Sequence, residues 1–74
     1  MDIAYLGHTL RIAAVGNALE GTVQGYWAVF DGPPDDGRSP LYEDITVEMS
    51  AWALAHREAK AESIGWIADH GSAR

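Results

Sequence analysis

Residues 9–15, TLRIAAV, alternate along the chain. Leu10, Ile12 and Ala14 fall on one side, and Thr9, Arg11 and Ala13 on the other. That is the period of a half-buried strand. DIAYLG before it predicts a shorter strand, with Gly7-His8 as a tight break. GNALEG at 16–21 carries Gly-Asn at one end and Gly at the other, as a hairpin connection does. TVQGYWAVF at 22–30 is dense in β-branched and aromatic residues and predicts the strongest strand. Val23, Gly25, Trp27 and Val29 form one face of it; Gln24, Tyr26, Ala28 and Phe30 form the other. The pattern leaves open which face is buried, and Gln24 favours the second as the wetter. Gly25 among large neighbours predicts close approach by another element.

A proline- and glycine-containing stretch, roughly 31–40, interrupts the strands, and LYEDI at 41–45 adds a short fourth one. From about 47 to 69 the chain is alanine-rich and free of proline, which predicts a helix, with Thr46 as N-cap and Glu48 in its first turn. Met49, Trp52, His56, Ala59, Ser63, Trp66 and His70 recur at steps of three and four, so they share a face. Arg57, Lys60 and Ile64 point away. The middle of the stripe is small, with Ala55 beside Ala59 and Ser63, so the helix can lie close to a sheet at Gly25.

The expected architecture is therefore a single α+β domain spanning 1–74. It has an antiparallel three- to four-stranded sheet with one long C-terminal helix across one face. One helix covers only one side. The second face, with Arg11, Ala13, Gln24, Tyr26, Ala28 and Phe30, is expected to be open, and a continuous apolar patch there marks a partner site.

Length and charge sharpen this picture. Seventy-four residues make a thin core, and there is no cysteine to supplement it with disulfides or thiolate-bound zinc. Oligomerisation is the remaining common supplement, so a homodimer is expected. The N-terminal residues have neither a basic leader nor a long apolar run, and a cytoplasmic, non-membrane protein is expected. Net charge is −6, and five of the six excess negative charges fall in residues 31–48, where Asp31, Asp35, Asp36, Glu43, Asp44 and Glu48 face a single base, Arg38. Such a field repels phosphate backbones and attracts basic proteins. Direct nucleic-acid binding is not expected.

Chemistry finds little support in the pattern. In DGPPDDG, residues 31–37, the spacing of Asp31 and Asp35 does not match a calcium loop, and Pro33 and Pro34 stand where side-chain oxygens are needed. His56 and His70 share a stripe but lie about 21 Å apart along an α-helix and cannot share a metal within one chain. His8 sits at a strand break, where a histidine and Asp31 or Asp44 could form an acid–base pair. The serines lack a nucleophile-elbow context and the glycines form no phosphate-binding loop. No catalytic residue, metal site or cofactor is assigned. The candidate partner surface is Tyr26, Phe30, Asp31, Asp35, Asp36, Glu43 and Asp44. A non-enzymatic interaction module is expected; an antitoxin- or immunity-like inhibitor of a basic protein is one alternative, and a small enzyme or ligand-binding protein with a site near His8, His56 or His70 at a subunit interface is another.

Residues 26–59 resemble the central part of HicB-like antitoxin domains: a strand, an acidic turn, a second turn and an alanine-rich helix. Pro34-Asp35-Asp36-Gly37 and Asp44-Ile45-Thr46-Val47-Glu48 stand in for the two turns. No glycine precedes Asp44, and Met49 follows Glu48 where the family pattern has a second acid. The tail SIGWIADHG is similar to helix ends of small proteobacterial domains. The HicB resemblance implies neutralisation of a small basic RNA-targeting toxin. Such proteins commonly add a DNA-binding tail, which these 74 residues do not show, so autoregulation by this chain alone is not expected.

Overall fold

The computed structural model describes residues 1–33, 37 and 39–71. Four strands, β1 (Asp2–Tyr5), β2 (His8–Val15), β3 (Gln24–Asp31) and β4 (Tyr42–Ile45), form one antiparallel sheet in chain order. Helix α1 (Trp52–Trp66) packs on one face and runs on into a wider π-helical turn, Ile67–Gly71.

Leu6 and Gly7 close the β1–β2 hairpin, both with positive φ, +48° and +80°. A two-residue hairpin turn of this hand matches the twist of its strands and needs both centres there. In the second connection Asn17 accepts the Leu19 N–H and caps a single 3₁₀ turn, Ala18–Glu20.

The register of β3 places Gly25, Trp27 and Val29 toward the helix. Leu10, Ile12, Trp27, Val29, Ala59 and Ile67 form the buried core, and Ile3, Tyr5, Ile64 and Trp66 pack against it. The helix comes closest at Gly25. A Cβ there would lie 2.2 Å from the Ala55 carbonyl oxygen and 2.9 Å from the Ala59 Cβ. The small-residue middle of the helix and Gly25 are thus two halves of one contact.

The helix differs from expectation in two respects. It starts at Trp52 after Ala51, which offers no capping side chain, rather than after Thr46. Thr46 is buried instead: its hydroxyl oxygen accepts the Gly25 N–H at 2.9 Å, and its hydroxyl donates to the Val47 carbonyl. Val23 and Met49 then exchange backbone hydrogen bonds of 3.1 and 2.7 Å, which keeps 46–49 extended beside the sheet. The buried stripe is also rotated from the expected one. Ala55, Ala59, Ser63 and Ile67, four residues apart, are buried, Trp52 is exposed, and Ile64 turns toward the core rather than away. Small side chains win the central positions because the sheet lies too close there for Trp52 or His56.

Candidate functional site

Directly opposed residues of antiparallel strands share a face, so β3 and β4 sort the candidate surface. Tyr42 and Asp44, opposite Val29 and Trp27, lie on the helix side; Glu43 and Ile45, opposite Ala28 and Tyr26, lie on the open side. All four β4 residues are exposed. Leu41, Tyr42, Ile45 and Val47 put apolar surface beside Glu43 and Asp44.

On the open side the Tyr26 hydroxyl donates to Glu43 Oε2. This bond, then partial burial and the Glu43 charge, hold the Tyr26 phenol above its ordinary pKa. Asp44 Oδ1 accepts the Ile45 N–H at 2.8 Å. Neither Glu43 nor Asp44 makes an ion pair among the described residues. Asp31 ends β3 and is exposed. Asp35 and Asp36 lie outside the described residues.

Phe30 is the clear departure. It was expected on an open apolar face, yet only 6% of it is exposed, and the Arg11 guanidinium lies over its ring at 5.0 Å. Arg11 also donates to both carboxylate oxygens of Asp2, at 2.9 and 3.1 Å. Ala28 is fully buried and Tyr26 half-buried. The second face is therefore laced with polar pairs rather than a bare apolar patch. A cation over an aromatic ring gains electrostatically while its stem covers apolar surface.

The histidines are held separately. His8 is buried, with Nδ1 3.1 Å from the Leu6 carbonyl oxygen, and the register sets it opposite Asp31. It borders an open hollow of about 400 Å³ between the β1–β2 turn and Gly32-Pro33. The neighbouring Thr9 hydroxyl donates to the Gly32 carbonyl at 2.7 Å, so its proton is engaged. His56 is half-buried on α1. His70 is exposed, stacks on Trp66 at 4.8 Å, and has Nδ1 3.1 Å from the Trp66 carbonyl oxygen. Among the described residues no group of three or more His, Asp or Glu side chains could hold a metal ion.

An aromatic ladder beside β4 was not anticipated. Trp27, Tyr42, Trp66 and His70 follow one another with centroid spacings of 5.5, 5.5 and 4.8 Å. Trp27 Nε1–H donates to Glu62 at 3.0 Å and anchors its inner end. The four-residue step from Trp66 to His70 was visible as helical spacing, but Tyr42 joins only through sheet pairing. No family model matches the chain, and no characterised protein or solved structure is significantly similar to it.

Proposed function

We propose that this protein is a non-enzymatic interaction module that binds a basic protein partner along β4. The observation that carries this reading is the exposed Glu43-Asp44 pair on an edge strand, without ion-pair partners among the described residues and flanked by exposed Leu41, Tyr42, Ile45 and Val47. Acidic side chains give steering and orientation, and adjacent apolar surface gives burial. Neutralising a small basic toxin, as the HicB resemblance implies, is one biological form of this function, acting in the cytoplasm.

The test is an NMR titration of labelled protein with a lysine- and arginine-rich peptide, against a peptide of equal length with those residues replaced by glutamine. Amide shifts are expected to concentrate at residues 41–47 and to fade with salt. Glu43→Gln with Asp44→Asn is expected to weaken binding about tenfold, near 1.4 kcal/mol. Asp35→Asn with Asp36→Asn measures the share of the acidic loop. Shifts spread evenly over the molecule, or affinity unchanged in both double variants, would sink the reading.

A further inference from the structure

The two edges of the sheet are built differently. At β4 the Thr46 N–H bonds to the Gly25 carbonyl. Alternation then turns the backbone of Tyr42 and Asp44 toward β3 and that of Glu43 and Ile45 outward. The outward Ile45 N–H is taken up by the Asp44 carboxylate, and Glu43 places a charge on the same edge. Charge and an occupied donor are means by which edge strands resist pairing.

At β1 the Met1 and Ile12 backbones bond to each other in both directions, at 2.8 and 2.9 Å. Ile3 and Tyr5 then face β2, and Asp2 and Ala4 turn their N–H and C=O groups outward. No side chain among the described residues occupies these groups. The one acid, Asp2, is neutralised by Arg11 of the adjacent strand.

We propose that two copies of this chain pair through β1, antiparallel about a two-fold axis at Ile3, and merge their four-stranded sheets into one. In this register Asp2 lies opposite Ala4 of the second copy and exchanges both backbone bonds with it, and the axis repeats the exchange. Ile3, half-buried in one copy, meets its own counterpart on the helix side. Tyr5 comes opposite Met1, which is 65% exposed in the single chain. Shifting the axis to residue 2 would set the two Asp2 side chains directly opposite each other, which disfavours pairing. Shifting it to residue 4 would run Asp2 into the turn at Leu6. Charge selects the occupant. In a molecule of net charge −6 the β1 edge is locally balanced, whereas β4 would repel a second copy of itself. The proposal is independent of the β4 reading, because the axis leaves both β4 strands free at the outer ends.

Sedimentation equilibrium over protein concentrations of about 1 µM to 1 mM tests it, because a small interface needs a wide range. Mass is expected to rise from the 8.0 kDa chain toward twice that. Ala4→Pro removes only an outward N–H, a place where edge strands accept proline, and is expected to weaken association at least tenfold with an unchanged circular dichroism spectrum. Ala4→Asp sets a carboxylate opposite Asp2 and is expected to weaken it severalfold. Ala4→Lys is expected to retain it, and also keeps the test open if the proline variant fails to fold. A monomer at every concentration overturns the proposal. So does a dimer indifferent to both Ala4→Asp and a folded Ala4→Pro.

Discussion

Leu6 is an exposed leucine held at φ +48° in a position that suits asparagine or glycine. Left-handed backbone costs an ordinary side chain roughly 1–2 kcal/mol, and asparagine tolerates it better. Leu6→Asn is therefore expected to gain about 0.5–1 kcal/mol, read as a thermal midpoint several degrees higher. Leu6→Val is expected to lower it, since a β-branched side chain fits that region worse. At Asp2, the hydrogen bonds from Arg11 dominate over slight desolvation and pull the carboxyl below its usual pKa. A depressed folded value means that the ion pair contributes above the unfolded aspartate range and is lost as pH falls through the folded value. Both side chains are more than a third exposed, so the contribution stays below about 1 kcal/mol. Denaturant titrations of the wild type and D2N should differ by up to that amount near pH 6. The difference should shrink below pH 4.

At the scale of elements, the closest fit lies between α1 and β3. Gly25→Ala would drive a methyl group into the Ala55 carbonyl, which is helix backbone and has nowhere to go. The expected cost is about 3 kcal/mol or more by urea denaturation, well above the usual effect of adding one methyl. The same substitution at Gly65, where a Cβ meets nothing within 4 Å, is expected to be neutral or stabilising, because alanine outranks glycine in a helix. The sheet's second contact with the helix lead-in runs through Thr46, whose hydroxyl supplies the buried acceptor for the Gly25 N–H. Glycine and threonine thus act as a pair: one makes room, and the other satisfies the backbone group at the same residue.

The whole molecule measures 42 × 25 × 15 Å, as thin as one sheet and one helix layer. The described helices include none long and apolar enough to cross a membrane. Among the described residues no helix or strand is layered on the open face, and Arg11 covers part of it. Its guanidinium spans the Asp2 carboxylate and the Phe30 ring, so one cation both neutralises β1 and screens an aromatic of β3. Charge is consequently uneven across the sheet, from a balanced edge at β1 to an acidic one at β4. That gradient is why self-association is proposed at one end and a basic partner at the other.

Local pattern sufficed for several features of this protein. Alternation marks the strands because each side chain reports its own face, and the alanine-rich run marks a helix. Gly25 and the small helix residues announced their contact, since only missing side chains permit such closeness. The acidity of 41–48 is likewise read directly from composition. Tertiary structure decided the rest, where a residue has two local options and a distant partner chooses. Thr46 can cap a helix or serve a strand, and the Gly25 N–H, twenty-one residues away, draws it to the sheet. Phe30 can be exposed or buried, and in the fold it is buried with the Arg11 guanidinium of the neighbouring strand over its ring. Which edge stays open follows from backbone alternation and from the single carboxylate of Asp44, and neither is visible until the strands are paired.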